Sequence, residues 1–402
     1  MKISELGKTV TGKTPSTKNE KYFDGNILFI TPTDITNGGY VEQTERHISE
    51  EGFNSIKTNT ISGKSILVGC IGSDMGNVSW TDKTCASNQQ INAITDIIDE
   101  INPIYIYYKL SQMKEYLRQL AGTTTTPILP KSIFDDIDLE IQDRNIQDKI
   151  VGILFNIDKK IENNNKINAE LESMAKTIYD YWFLQFEFPN EEGKPYKSSG
   201  GKMVWNEELK REIPEGWNTT TIGDITICHD SERIPLSGKD RESMIGDIPY
   251  YGATDIMGYV NRPIFDGDYV LMAEDGSVMD EDGHPILQRV TGQVWVNNHA
   301  HVLEPIKKHS CKLLMMFLKD VYVPMIKTGS IQMKINQENM NGITVPNIPD
   351  DLKEKINLEL CTIEKKQLQI IAENQELTSL RDFLLPMLMN GQVGFKINNR
   401  KE

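Results

Sequence analysis

This sequence has little with which to cross a membrane, cross-link itself or attract polyanions by bulk charge. No apolar run approaches the roughly 20 residues that a bilayer span needs. The opening MKISELGKTV lacks the apolar core of a signal peptide. Cysteines are few and odd in number: Cys70, Cys85, Cys228, Cys311 and Cys361 are scattered and form no CxxC. That excludes a disulfide framework and a thiolate zinc module, and predicts reduced thiols in a cytoplasmic protein. Positive charge is in deficit, with 43 Lys and Arg against 58 Asp and Glu and a net charge of −15. By itself that charge argues against a nucleic-acid binder. With 38% hydrophobic and 25% charged residues, the 402-residue chain reads as two globular units plus connections.

What is present is a duplication. From Ile146 to Trp182 apolar residues recur at alternating three- and four-residue steps: Ile150, Leu154, Ile157, Ile161, then Leu171, Ala175, Ile178 and Trp182. This is the seam of a coiled coil, interrupted by the polar Asn164 and Asn168. Adding 206, the offset from Ile137 to Ile343 (343 − 137), gives a second seam without a gap. It runs Ile356, Leu360, Ile363, Gln367, Ile370, Asn374, Leu377, Arg381, Leu384 and Leu388. Two long helices of one pattern thus each follow a larger segment.

The boundaries drawn from this pattern are a first unit at 1–140, a first long helix at 141–188, a linker at 189–204, a second unit at 205–346, a second long helix at 347–392 and a tail at 393–402. Both units read as strand-rich, with short β-like runs between Gly, Asn and Thr turns. Pro103 suits the first turn of a helix predicted over Ile104–Leu120, and Lys312–Val323 is its counterpart. Short strands are predicted at Ile137–Ile141 and Ile343–Val345. Asn145 is the expected cap of the first long helix. Weaker echoes pair Leu6-Gly7 with Ile222-Gly223, Thr33-Asp34-Ile35 with Thr254-Asp255-Ile256, Gly72-Ser73 with Gly276-Ser277, and Asn88 with Asn298. The spacing between them differs, as for one frame carrying two sets of loops.

Apparent catalytic motifs fail on physical grounds. Gly7–Thr14 matches the phosphate-loop pattern GxxxxGK[ST], but no buried strand of adequate length precedes it and no helical periodicity follows. A basic polar loop that gathers Lys8, Lys13, Lys18 and Lys21 is expected instead. Asn102-Pro103-Ile104-Tyr105 is one residue from an adenine-gripping NPPY, yet no glycine-rich cofactor loop accompanies it. Asp280–Gly283 lacks the remaining ligands of a calcium loop. His299 and His301, two apart, would share one strand face but have no further ligand signal. No catalytic site and no metal site is expected.

Polar loop residues that could meet a partner fall into two sets. In the first unit they are Lys8, Lys13, Lys18, Lys21, Ser73, Asn88, Gln89, Gln90, Thr123, Thr124 and Thr125. In the second they are Ser277, Asn297, Asn298, His299, Lys327, Ser330, Gln332 and Lys334.

Several phrases, in this order, match a known family: GKTPS at Gly12–Ser16, TPTDI at Thr31–Ile35, ASNQQ at Ala86–Gln90, IPEGW at Ile213–Trp217, YYGATDI at Tyr250–Ile256, WVNNHAHVL at Trp295–Leu303 and LRDFLLPMLMNGQV at Leu380–Val393. Over essentially its full length the chain resembles the specificity subunits of type I restriction–modification systems. The resemblance implies two α/β (α+β) target recognition domains joined by two long antiparallel helices in a coiled coil, an internal pseudo-two-fold duplication. It implies a non-catalytic subunit that reads a split DNA target, one half per domain. It also makes the polar loop residues named above the DNA-contact candidates, because base readout uses Asn, Gln, Ser, Thr, Lys and Arg in exposed loops. With an acidic total, such contacts must be local. The implied partners are double-stranded DNA, two methyltransferase subunits that bind S-adenosylmethionine, and restriction subunits that use ATP and Mg; this chain itself would bind no cofactor. The alternatives are a methyltransferase fused to its own recognition domain, which S-adenosylmethionine binding by the isolated chain would reveal, and a scaffold for proteins only.

Overall fold

The structure is a computed structural model, and it describes residues 1–36, 38–122, 127–329 and 333–394. The chain divides into two compact units, one of Met1–Asn163 with Glu373–Glu402 and one of Asn164–Ala372. Each unit therefore takes part of both long helices.

In the first unit a five-stranded sheet runs in the order Lys8–Thr11, Ile91–Thr95, Ser65–Gly69, Val78–Thr81, Gly39–Tyr40. A four-stranded sheet runs Arg46–Ile48, Ile27–Ile30, Cys85–Ser87, Thr60–Ile61. Every residue of Ser65–Gly69 and Ile91–Thr95 is buried, so these central strands read as continuous runs rather than alternation. The helix Pro103–Ser111 starts with Pro at its first turn, and the Asn102 side chain accepts from Ile104 N. The single helix expected over Ile104–Leu120 is two, with Lys114–Leu120 starting after a break. The break lies over Gly76, where an added Cβ would come within 3.0 Å of the Lys114 carbonyl oxygen. The expected strand Ile137–Ile141 reduces to one bridge, Lys2 with Asp138, flanked by buried Ile137 and Leu139.

In the second unit six strands run in the order Thr226–Cys228, Ala300–Pro305, Phe265–Ala273, Leu287–Val296, Ile248–Tyr251, Ile256–Val260. Two further pairs join Met203–Asn206 to Arg211–Pro214 and Asn218–Thr221 to Thr344–Asn347. Ser310 caps Cys311–Lys319, which ends four residues short of the expected Val323. The stretch read as a linker is folded: Phe188 stacks on Tyr196 and on Trp217, and Asn190 Oδ1 accepts from Glu192 N and Lys194 N.

The long helices span Arg144–Tyr179, 36 residues, and Asp350–Met389, 40 residues. Asn145 lies inside the first turn rather than capping it, because the helix already starts at Arg144. All twelve apolar seam residues named for them (Ile150, Leu154, Ile157, Ile161, Leu171, Ile178, Ile356, Leu360, Ile363, Ile370, Leu377, Leu384) are buried or half-buried. The seam does more than join helices. Ile150, Leu154, Leu388 and Met389 belong to the first unit's core with Ile3, Leu6 and Tyr105. Likewise Ala175, Tyr179, Ile356, Leu360 and Ile363 belong to the second unit's core. In the first unit the helices run antiparallel, as Asp158 meets Arg381 at 3.2 Å and Lys160 meets Glu373 at 3.3 Å. Tyr108 donates to the other oxygen of Asp158 at 2.5 Å, which gives the polar seam residue Arg381 a paired carboxylate. In the second unit Gln367 donates to Glu172 at 3.2 Å, and Lys312 also donates to that carboxylate.

Candidate nucleic-acid interface

The two units share a set of backbone hydrogen bonds that fixes the register of the duplication. Ile3 N donates to Ile137 O at 3.0 Å and Ile222 N to Ile343 O at 2.9 Å; Ile98 N donates to Leu6 O and Ile306 N to Ile225 O. At one sheet end Cys70 N donates to Gln90 O at 2.7 Å and Leu129 N to Cys70 O at 2.9 Å. The counterparts are Glu274 N to His299 O at 2.9 Å and Ile335 N to Glu274 O at 2.8 Å. Two of the sequence echoes need correction. Ile3 and Leu6 correspond to Ile222 and Ile225, so Leu6-Gly7 does not answer Ile222-Gly223. Asn88 corresponds to Asn297, because each side-chain oxygen accepts from the amide two residues on, Gln90 at 3.0 Å and His299 at 2.8 Å. Asn298 is the counterpart of Gln89.

This shared corner gathers most of the recognition candidates. In the first unit Thr14 donates to Gln89 at 3.1 Å, which draws Lys13 to the Asn88–Gln90 turn. Gly12 makes that approach possible, since an added Cβ would sit 2.0 Å from Asn88 O. Ser73 lies in the next loop, where Gly72 N donates to Pro127 O. Arg118 donates to Ser73 O at 3.1 Å and stands beside the candidates, unnoticed because its partner is 45 residues away. Thr123, Thr124 and Thr125 lie outside the described residues.

The expected cluster of four lysines does not form. Lys8 pairs with Thr95 at the other end of its strand from Thr11, about 15 Å of strand from Lys13. Lys21 sits in the turn Glu20–Phe23, whose Tyr22 carbonyl accepts from Ser49 beside the other sheet. Lys18 is exposed just before that turn.

In the second unit Ser277, Asn298 and His299 are exposed at the same corner, and Lys334 bridges back to Asp275. Lys327 is half-buried before Thr328, which pairs with Lys334; Ser330 and Gln332 between them lie outside the described residues. Asn297 is buried, its side-chain oxygen spent on accepting from His299 N to close the turn. Two acids that sequence reasoning missed lie beneath. Lys334 Nζ is 2.9 Å from Glu274 and His299 Nδ1 is 2.6 Å from Asp275. Burial pushes the Glu274 carboxyl up, but hydrogen bonds from Lys334 and Arg233 outweigh it and hold the group below its usual range. The same contact raises the Lys334 ammonium. A signal was present, since two acids directly before Gly276-Ser277 end a buried run.

His299 and His301 do not converge. The His301 ring is fully buried and joins the Ile335 carbonyl at 2.8 Å to the Asp230 carboxylate at 2.5 Å. Cys228, Asp230 and His301 have donor atoms within 4.8 Å of one another, but Arg233 also pairs with Asp230 at 3.3 Å. An arginine at that carboxylate opposes a dication. The other motifs fall to ordinary roles: Lys8–Thr11 is a strand with only a short turn after it, Asn102 is a helix cap, and Asp280 accepts from the amides of Asp282 and His284.

One backbone frame thus occurs twice in the chain, with loops that diverge at one corner. The family model of the type I restriction modification DNA specificity domain matches residues 1–173 and again 214–377, and the chain belongs to that family. The chain is similar to the type I restriction enzyme MjaIX specificity subunit of Methanocaldococcus jannaschii, 27% identical over 98% of this chain and 92% of that one. It is 36% identical to the HindI specificity subunit of Haemophilus influenzae over 43% of this chain and 38% of that one. Among solved structures, the type I restriction–modification S subunit from M. genitalium has the same fold, with a TM-score of 0.60 at 19% identity, covering 96% of this chain and 95% of that one. Specificity subunits are non-catalytic, in keeping with the failed motifs. Among the described residues no helix is long and apolar enough to cross a membrane.

Proposed function

We propose that this chain reads a split double-stranded DNA target, one half-site per unit, and brings methyltransferase and restriction subunits to it. One observation carries the reading: a single backbone corner occurs twice with different side chains, Cys70, Gln90 and Ile128 in one unit against Glu274, His299 and Lys334 in the other. Identical scaffolding with divergent readers is what recognition of two different base sequences requires. Two methyltransferase subunits would bind S-adenosylmethionine, the restriction subunits ATP and Mg, and this chain no cofactor. The cytoplasm, where the DNA and reduced thiols are, is the proposed compartment. Unit boundaries near residues 140, 188, 204, 346 and 392 go with this reading. Co-expression with the neighbouring methyltransferase gene, followed by mapping of methylated sites, tests it. A single bipartite site is expected; methylation without sequence preference, or S-adenosylmethionine bound by the chain alone, would defeat it.

A further inference from the structure

At one pair of neighbouring positions the two units share backbone but not chemistry. Where the first has Cys70 and Ile71, the second has Glu274 and Asp275, at the end of the strand Phe265–Ala273. Carboxylates on a surface that meets DNA repel phosphate, so two in succession there need a physical reason. Each is held by a donor from a different segment, Lys334 on Glu274 and His299 on Asp275. The donors are exposed, each 48%, while the acids are mostly covered, 11% and 24%. Glu274 is itself fixed from behind, because Arg233 donates to it at 2.6 Å and to the Ala300 carbonyl at 2.7 Å.

A free lysine is a point charge on a flexible stem. With one of its three donors on a fixed carboxylate, the directions of the other two are set. A histidine whose Nδ1 faces a carboxylate likewise turns a defined Nε2 outward. We propose that Glu274 and Asp275 are positioning residues that aim Lys334 and His299 at base edges in the half-site read by the second unit, with guanine O6 and N7 the acceptors for Lys334. This rests on the reading that the second unit recognises one half of a split target. The first unit has Ile71 against Ile128 at the corresponding bridge, so this acid–lysine pairing has no counterpart at that position.

The test uses the complex of the full chain with its methyltransferase subunits and duplexes randomised in the second half-site only. Methylated products are sequenced over a series of salt concentrations for wild type, Glu274→Gln, Asp275→Asn and Lys334→Met. Each variant should lower the preference for the best base at one or more second-half positions by about tenfold, the scale of a single side-chain–base contact. First-half preferences should stay unchanged. A lysine already neutralised by an acid releases few counterions, so Lys334→Met should leave the salt slope unchanged. Glu274→Gln frees the ammonium for phosphate and should steepen the slope by about 1. Unaltered second-half preferences in all variants, or a slope shallower by about 1 in Lys334→Met, would overturn the assignment. Lys334→Met changes an exposed side chain, so the test holds even where a buried-acid variant loses its fold. A wild-type complex with no sequence preference would defeat the recognition reading itself, a different failure.

Discussion

Replacing Leu154 by alanine should damage the first unit far more than its place on a helix–helix seam suggests. Leu154 is fully buried, and its neighbours in the core include Ile150, Leu388 and residues of the sheet and its helices. Truncating such a leucine costs about 3–5 kcal/mol, the lost transfer of its methyls plus the cavity left behind. Domains are stable by about 5–15 kcal/mol, so this is a large fraction. Ile161, one heptad further on, is only half-buried and lies outside that core, so Ile161→Ala should cost about 1 kcal/mol. In urea, where the slope is about 1–3 kcal/mol per molar, the first change moves the midpoint by roughly 1 M or more. Hydrogen exchange read by mass spectrometry gives the location. Amides of Ser65–Gly69 should lose protection in Leu154→Ala while those of Phe265–Ala273 keep theirs. Equal costs at Leu154 and Ile161, or equal loss of protection in both strands, would refute the idea that the seam is part of each unit's own core.

The isolated chain should neither methylate nor cleave DNA nor hydrolyse ATP; ATP hydrolysis abolished by Lys13→Ala would restore the phosphate-loop reading of Gly7–Thr14. His229 lies between Glu232 at 2.6 Å and Glu304 at 2.7 Å; burial disfavours its charge, but the two carboxylates outweigh that and raise its pKa above the ordinary value. A raised folded value gives stability that is full below about pH 6.5 and fades as pH climbs through the folded pKa. Urea midpoints of wild type and His229→Gln should therefore differ more at pH 6 than at pH 9, and a gap that widens with pH would contradict this. A fragment ending near Phe188 should form a homodimer and, with the methyltransferase, methylate a palindrome of the first half-site. By the 206-residue offset its Trp182 and Phe183 correspond to Leu388 and Met389, so a second copy can cover the first unit's core in their place. A strictly monomeric fragment at tens of micromolar (about where weak pairing shows) would count against it.

The long helices and their register were legible because an uninterrupted heptad pattern carries its own alignment. Where the loops change length that alignment slips, which is why Ile222 was matched to Leu6 rather than Ile3, and Asn298 rather than Asn297 to Asn88. The break after Ser111 was hidden because its cause, the approach of Gly76, comes from another part of the chain. The same holds at the recognition corner. Exposed Asn, Gln, Ser and Lys could be named from composition, but not the acids that hold them. Glu274 with Lys334 and Asp275 with His299 are pairings across the fold. Lys8 was misplaced for the converse reason, since nearness in sequence along an extended strand is distance in space.

The composition of the two units also sets a timetable for synthesis. The second unit is one unbroken stretch, whereas the first needs Glu373–Met389, made almost last, to set Leu388 and Met389 beside Leu154. At typical elongation rates the intervening roughly 200 residues take about 10–40 s to emerge. For that interval the oldest part of the nascent chain waits with an apolar face uncovered, and the younger unit can close first. Chaperone demand should thus fall on the N-terminal unit, whose missing helix is the last part of the fold to be made.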